Sequence, residues 1–198
     1  LIESALGEVV VVSGLPRSGT SLMMQMLEKG GLEIFSDEIR KPDENNPRGY
    51  YEHEAVKRLH HDKKWLQKAV GKGVKIISHL LHHLPKQYKY KIIFMKRNIY
   101  EILDSQEAML VRTGKLKKRT NSVSLSLLES YQNNLNQIEK WAKETSGVEI
   151  LYIDYVSIVE NPKKEAEKVA GFLGRKLNIA EMNGAVDKSL YREKSQAQ

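Results

Sequence analysis

Four short runs along the chain are almost continuously apolar and rich in β-branched or aromatic residues. They cover residues 8–13, 74–78, 91–96 and 148–153. A strand that is covered on both faces carries apolar side chains on both sides, whereas a strand with one wet face alternates apolar and polar positions. The pattern therefore predicts four buried strands in a mainly parallel sheet.

Apolar residues at helical spacing separate these runs. Leu22, Met23, Met26 and Leu27 predict a helix over residues 21–29, which glycines 30 and 31 end. Further helices are predicted over residues 52–70, from Arg97 to about residue 114, over 124–145, and over 162–174 with Pro162 in the first turn.

Strands that alternate with helices of this length are typical of a three-layer α/β/α fold around a parallel sheet. The chain has 198 residues, enough for one hydrophobic core, and no composition shift divides it, so a single domain over residues 1–198 is predicted. The polar segment 37–49, which contains Pro42 and Pro47, is predicted to be a long ordered loop or lid.

Composition narrows the possible chemistry. The chain has no cysteine, which excludes disulfides, thiol catalysis and cysteine-ligated zinc. A formal net charge of +7 suits a polyanionic ligand, but three Phe and no basic stripe mixed with aromatic residues argue against nucleic acid. No apolar run has the length of a membrane span and no signal peptide is visible, so we expect a cytoplasmic protein.

The sequence Gly14-Leu-Pro-Arg-Ser-Gly-Thr-Ser21 lies directly after the first strand and directly before the first helix. Two glycines four residues apart in this position form the frame of a P-loop, whose backbone N–H groups and helix N-terminus attract phosphate. The predicted ligand-binding residues of the loop are Arg17, Ser18, Gly19, Thr20 and Ser21.

The loop departs from the pattern of nucleotide-hydrolysing enzymes. Thr20 takes the position after the second glycine, where those enzymes carry Lys, and Arg17 is the cation of the loop. The third strand ends in Met95-Lys96-Arg97 instead of an acid that would hold Mg²⁺. A P-loop kinase or NTPase is therefore the less favoured alternative, together with a non-catalytic nucleotide-binding protein of the same fold.

Pro16-Arg-Ser-Gly-Thr-Ser-Leu22 resembles the 5′-phosphosulfate loop of the sulfotransferases that use 3′-phosphoadenosine 5′-phosphosulfate (PAPS). Arg97 ends the third strand and Ser105 follows eight residues later, which resembles the family's pair for the 3′-phosphate. Eight residues are a little over two helical turns, so both side chains can reach one anion.

The resemblance implies a sulfotransferase with a P-loop-like fold, PAPS as donor and no metal requirement. The acceptor would be a hydroxyl or amine on a small molecule or peptide. Arg17 would stabilise the departing phosphate, and Lys75, placed at the start of the second strand, would face the sulfuryl group. The alternative for Lys75 is a strand-edge lysine whose ammonium reaches water.

Two residues are candidates for the general base. His79 lies in the region where small-molecule members of the family carry a His, but without their usual Lys-Thr-His context. Glu38 lies in Ser36-Asp-Glu-Ile-Arg40, which resembles the base segment of the tyrosylprotein sulfotransferases. Glu38 is preferred over His79, and the alternative for Glu38 is a solvated loop carboxylate.

The remaining candidates rest on position alone. Arg48 and Tyr50 are predicted in the acceptor wall, and Arg192 is predicted to replace the family's C-terminal basic contact to the 3′-phosphate.

Two polar clusters carry less specific signals. The residues His79, His82 and His83 share helical spacing, but an exposed helical face is preferred over a metal site. The basic segment 112–119 is predicted to be a solvated loop, with a basic flap over an anionic ligand as the alternative.

Overall fold

The computed structural model describes residues 6–37, 39–44, 46–120 and 124–191. Four strands form one fully parallel sheet in this part of the chain, in the order β2-β1-β3-β4. The strands are β1 (Glu8–Gly14), β2 (Gly73–Lys75), β3 (Lys89–Lys96) and β4 (Val148–Asp154). The predicted parallel α/β architecture is confirmed.

Helices connect the strands and cover both faces of the sheet. They are α1 (Thr20–Lys29), α2 (Glu54–Lys57), α3 (Leu66–Ala69), α4 (Ile99–Arg112), α5 (Leu125–Glu144), α6 (Tyr155–Glu160), α7 (Pro162–Leu173) and α8 (Ile179–Gly184), with 3₁₀ turns at Ser78–His83 and Lys188–Leu190. None of the helices formed by the described residues combines the length and apolar character that crossing a membrane needs.

The valines of β1 explain why its sequence is apolar at every position. Val10 and Val12 are buried among residues of α1, α7 and α8, whereas Val9 and Val11 are buried among residues of α2, α3, α5 and the first 3₁₀ turn. Successive side chains of a strand point to opposite faces, so a strand between two helical layers is apolar throughout. The central strand therefore anchors both halves of the core.

The prediction of one long helix over residues 52–70 is wrong. Two four-residue helices, α2 and α3, occupy this range with turns between them. α2 ends at Lys57, and between the two helices the Asp62 carboxylate accepts the Lys64 N–H at 3.0 Å. The Asp62 carbonyl also accepts the Trp65 indole N–H at 3.1 Å. Short polar side chains that bond to nearby backbone compete with a helix in this way.

The second strand is shorter than predicted. It ends at Lys75, the residue that the sequence analysis placed at its start. Only Gly73–Lys75 pairs with β1, with Val12 opposite Lys75, and Ser78 already begins a 3₁₀ turn. Lys75 is therefore the last residue of the strand, at the carboxyl edge of the sheet.

The strand order places a crevice beside β1. The chain passes from β1 to β2 on one side and then crosses to β3 on the other, so the connections diverge at the carboxyl end of β1. Ligands of open parallel sheets bind at such a switch point. The loop after β1, Lys75 at the end of β2 and Arg97 after β3 meet at this edge.

Candidate functional site

A cavity of about 290 Å³ opens at the carboxyl edge of the sheet. Its walls come from the loop after β1, the segment between residues 40 and 52, the end of β2, one face of α4 and the C-terminal segment around Asp187. It brings together several predicted site residues, namely Arg17, Gly19, Thr20, Ser21, Lys75, Arg97 and Ser105.

The two loop glycines are fixed by close packing. Gly14 has φ 153°, and a Cβ there would lie 2.8 Å from the carbonyl oxygen of Met95. Gly19 has φ 99°, and a Cβ there would lie 2.5 Å from the ring of Tyr155. A glycine at position 19 lets the backbone approach a ligand closely. In the fold its missing side chain also makes room for the Tyr155 ring.

The loop presents the N-terminus of α1 to the cavity. Gly19 is the N-cap and supplies no side-chain cap, and the first turn of the helix carries no acid. Its first backbone N–H groups are therefore directed to the cavity side, where an anion can accept from them. Arg17 adopts φ 69°, a left-handed conformation that is unusual for a residue with a side chain and is found at functional sites.

Ser18 differs from the other four predicted loop residues. Its hydroxyl is fully buried and has no hydrogen-bond partner among the described residues, and its N–H donates to the Leu15 carbonyl at 3.2 Å. The side chain is turned under the loop and does not line the cavity. Ser18 stays a predicted ligand-binding residue of the loop, and its hydroxyl is not placed to contact a ligand in the cavity.

Arg17 connects the loop to the second predicted motif. Its Nε donates to the Ser105 hydroxyl at 3.1 Å, and its carbonyl accepts from an Arg97 guanidinium nitrogen at 3.1 Å. Burial lowers the pKa of the Arg17 guanidinium, and the neighbouring cations Arg112 and Arg97 act in the same direction. The fold thus concentrates positive charge between the loop and α4, which a bound anion would relieve.

Groups that were not predicted from the sequence fix the position of the Arg97 side chain. Its Nε donates to Glu101 at 3.0 Å, and both side chains are buried, 7% and 3% exposed. The Tyr191 hydroxyl donates to the other Glu101 oxygen at 2.9 Å, and the Tyr155 ring lies 4.7 Å from the guanidinium carbon. The i, i+4 spacing of Arg97 and Glu101 at a helix start was a readable signal for this pair.

Lys75 is buried and fully engaged, so the alternative of a lysine that reaches water is wrong. Its side chain is 8% exposed and its Nζ donates to the Tyr50 carbonyl at 2.8 Å, the Ser21 hydroxyl at 3.2 Å and Glu52 at 3.4 Å. Burial lowers the pKa of the Lys75 ammonium, and the Glu52 carboxylate partly offsets this. The ammonium lies between α1 and the segment that follows residue 40.

The described residues between 40 and 52 form an irregular wall of the cavity, in agreement with the ordered loop predicted over residues 37–49. The Arg40 guanidinium carbon lies 3.4 Å from the centre of the Tyr50 ring and the group pairs with Glu52 at 3.1 Å. The Tyr50 hydroxyl donates to Asp43 at 2.8 Å. Arg48 donates to the Ala185 carbonyl at 2.5 Å and pairs with Asp187 at 3.1 Å. Both Arg48 and Tyr50 line the cavity.

The structure does not bring His79 to this cavity. His79 is exposed on the 3₁₀ turn after β2 and is not among the residues that line the cavity walls. The other two candidates, Glu38 and Arg192, lie outside the described residues. Within the described ranges, no three His, Cys, Asp or Glu side chains come together as a set of metal ligands.

The basic segment 112–119 divides into two parts. Arg112 lines the cavity on the same face of α4 as Gln106 and Met109. The lysines and arginine that follow are exposed and do not line it. The favoured prediction of a solvated loop is confirmed for residues 115–119, whereas Arg112 belongs to the cavity wall.

The chain is an α/β protein with a parallel sheet, a glycine-containing loop after β1 and buried cations at the carboxyl edge of the sheet. The sulfotransferase domain family matches residues 8–198, and the chain belongs to this family. None of the curated proteins compared with the chain matches it.

Solved structures of low sequence identity share the fold. The sulfotransferase domain of the Synechococcus PCC 7002 olefin synthase has 16% identity and a TM-score of 0.58, covering 100% of this chain and 91% of that chain. Mouse sulfotransferase SULT7A1, solved in complex with PAP, has 18% identity and a TM-score of 0.59, covering 99% and 69%. A sulfotransferase domain of the curacin biosynthetic pathway has 13% identity and a TM-score of 0.54, covering 96% and 84%.

Proposed function

We propose that this protein transfers a sulfuryl group from PAPS to a hydroxyl or amine acceptor by in-line displacement. The observation that carries the proposal is the direct connection of two anion-binding elements across one cavity. Arg17 of the loop donates to Ser105 and accepts from Arg97, so a single ligand with two phosphate groups can engage both elements.

The loop suits the 5′-phosphosulfate of the donor. The start of α1, with Thr20 and Ser21, lines the loop side of the cavity and can hold one phosphate group. The loop has no lysine of the kind that binds a triphosphate. Arg17 is the cation of this site and neutralises charge on the departing 5′-phosphate. The PAP complex of SULT7A1 supports the choice of donor, because PAP is the desulfated form of PAPS.

The second element suits the 3′-phosphate. Arg97 presents a guanidinium whose orientation Glu101 and Tyr155 fix, and Ser105 presents a hydroxyl 5% exposed on the cavity side of α4. A guanidinium and a hydroxyl can both donate to phosphate oxygens, and charge-assisted bonds of this kind are strong. The 3′-phosphate distinguishes this donor from common adenine nucleotides.

Lys75 is proposed to act on the sulfuryl group. Its buried ammonium lies beside Ser21 at the start of α1 and so faces the site of the transferred group. In the transfer, a bond forms between the acceptor oxygen or nitrogen and sulfur, and the bond between sulfur and the 5′-phosphate oxygen breaks. Sulfuryl transfer resembles phosphoryl transfer in relying on positioning and neutralisation of charge, which Lys75 and Arg17 supply.

The proposal is tested by calorimetric titration with three nucleotides and by a transfer assay. Adenosine 3′,5′-bisphosphate is expected to bind at least about tenfold more tightly than adenosine 5′-phosphate, because the second phosphate adds charge-assisted bonds. Tighter binding of ATP with Mg²⁺ would instead support a kinase or NTPase. Radiolabelled PAPS is then mixed with a panel of phenols, alcohols and amines. Tight binding of the bisphosphate without transfer to any acceptor would support a non-catalytic nucleotide-binding protein.

A further inference from the structure

The transfer reaction needs a group that takes the proton of the acceptor, and one cavity carboxylate lies where that proton is released. We propose that Glu52 is this general base. The inference rests on the proposed sulfotransferase activity and adds a catalytic residue to it. Glu52 is not among the site residues predicted from the sequence, because it falls at the edge of a loop between two better-marked elements.

Position is the first argument. Glu52 lines the cavity, its side chain is 28% exposed, and its Oε1 lies 3.4 Å from the Lys75 ammonium. Lys75 also donates to Ser21 in the first turn of α1, next to the predicted site of the sulfuryl group. An acceptor atom that approaches the sulfuryl group therefore comes within reach of both Lys75 and Glu52.

The other described carboxylate of the cavity wall lies away from Lys75. Asp187 accepts from the N–H and the hydroxyl of Ser189 at 3.0 and 2.7 Å and pairs with Arg48 at 3.1 Å. These contacts hold it at the C-terminal edge of the cavity, and no contact with Lys75 involves it. His79 lies outside the cavity walls.

Two cations face the Glu52 carboxylate. Lys75 approaches from β2 and Arg40 from the loop at 3.1 Å, with the Arg17 guanidinium and the Ser21 hydroxyl farther along the same cavity. The acceptor proton becomes strongly acidic once the acceptor atom bonds to sulfur, so a carboxylate in contact with two cations can take it.

The proton balance of the step is complete. The acceptor O–H or N–H bond breaks as the new bond to sulfur forms, and the proton passes to a Glu52 oxygen. The electron pair of the breaking sulfur–oxygen bond stays on the 5′-phosphate, beside Arg17 and the N-terminus of α1. Glu52 then releases the proton to solvent through the open mouth of the cavity.

The test compares Glu52→Gln and Glu52→Ala with matched variants of Glu54. Glu54 is exposed, pairs with Lys57 at the surface and does not line the cavity, so Glu54→Gln and Glu54→Ala are controls of the same chemistry. The amide of Glu52→Gln keeps the volume and an acceptor oxygen for Lys75 but cannot take a proton. Release of PAP from labelled PAPS is measured with the acceptor panel, and binding of the bisphosphate by calorimetry.

We expect Glu52→Gln to lower kcat by about 100-fold or more while the bisphosphate Kd changes less than about twofold. The acid limb of the wild-type kcat/KM profile should flatten in this variant, and formate should restore turnover to Glu52→Ala but not to wild type or the Glu54 variants. Retained turnover in Glu52→Gln, or lost turnover with an unchanged acid limb and no formate rescue, would overturn the assignment. Loss of bisphosphate binding in wild type would instead contradict the proposed function.

Discussion

The two elements of the cavity that are proposed to bind anions are built in opposite ways. The loop between β1 and α1 is one contiguous stretch, and its site consists of backbone N–H groups shaped by Gly14 and Gly19. The Arg97 element is assembled from β3, α4, α6 and the C-terminal segment, and its site consists of a side-chain charge balanced by buried Glu101.

This difference determines how each element tolerates change. A site made of backbone depends on the path of the chain, so it fails when a side chain is added where none fits. A site made of paired side chains depends on charge, so it fails when one partner is removed and the other is left buried. Four substitutions test this contrast, in order of decreasing effect.

Gly19→Ala is expected to have the largest effect. The new Cβ would lie 2.5 Å from the buried Tyr155 ring at a residue with φ 99°, so the loop has to move and its N–H groups lose their alignment. We expect the affinity for adenosine 3′,5′-bisphosphate to fall at least about 100-fold, or about 3 kcal/mol, in a calorimetric titration.

Gly31→Ala is the matched control for this prediction. Gly31 has a similar φ of 94°, but a Cβ there meets no atom of the described residues within 4 Å. It should lower the free energy of unfolding by about 1–2 kcal/mol through backbone strain and leave nucleotide affinity unchanged. Equal losses of affinity in both variants would mean that backbone strain, and not the contact with Tyr155, causes the loss of binding.

Arg97→Ala is expected to weaken the bisphosphate by about 1.5–3 kcal/mol, the range for hydrogen bonds to charged groups. Affinity for adenosine 5′-phosphate should change less than about twofold, because that ligand lacks the 3′-phosphate. An equal loss for both nucleotides would place Arg97 elsewhere in the site.

The same variant leaves Glu101 buried without its cation. Breaking a buried ion pair costs about 3–5 kcal/mol, so thermal unfolding should begin at a clearly lower temperature. Adding Glu101→Gln should recover most of this stability but none of the lost affinity. Recovery of affinity in the double variant would show that Arg97 acts only by balancing Glu101.

Lys75→Met is expected to separate function from stability. Met fills a similar volume without a buried charge, so the free energy of unfolding should stay equal or rise by up to about 2 kcal/mol, while transfer is lost. Denaturant unfolding measures this difference, and a loss of stability above about 1 kcal/mol would contradict it.

The pH dependence of this difference has a definite sign. Burial lowers the pKa of Lys75 below its value of about 10.4 in an unfolded chain. The cost of burying the ammonium is therefore fully present below the folded-state pKa and disappears as the pH rises towards the unfolded value. The advantage of the Met variant should accordingly shrink as the pH is raised.

Arg48→Ala is expected to have the smallest effect. Arg48 and Asp187 are each 36% exposed, and surface ion pairs of this kind contribute little. Bisphosphate affinity should change less than about twofold, as in the control Lys57→Ala, which removes another exposed pair. A large loss would show that the bond to the Ala185 carbonyl holds the C-terminal segment on the cavity.

The sequence by itself determined the order of the four strands, the longer helices between them and the two phosphate-type motifs. The strand runs were readable because strands buried on both faces are apolar at every position, and the loop was readable because its residues are contiguous. Arg97 and Ser105 were readable because helical spacing relates them. Each of these signals is local in the chain.

The tertiary structure decided which of the candidates meet. The Ser18 hydroxyl turned away under the loop, His79 stayed outside the cavity walls, and Lys75 was buried by contacts with Tyr50 and Ser21, 25 and 54 residues away along the chain. Within the predicted helix 52–70, Asp62 makes local hydrogen bonds to the Lys64 N–H and the Trp65 indole, which the spacing of apolar residues does not reveal.

Glu101 and Glu52 show the physical reason for this division. Apart from a helical i, i+4 pair such as Arg97 and Glu101, a carboxylate in a sequence gives no sign of its partners, since its role depends on which groups lie within a few ångströms after folding. Glu101 acquired its role from Arg97 and Tyr191, and Glu52 lies beside Lys75 and Arg40. The conformation of the backbone depends mainly on neighbouring residues, whereas the balance of buried charge depends on distant segments that pack together.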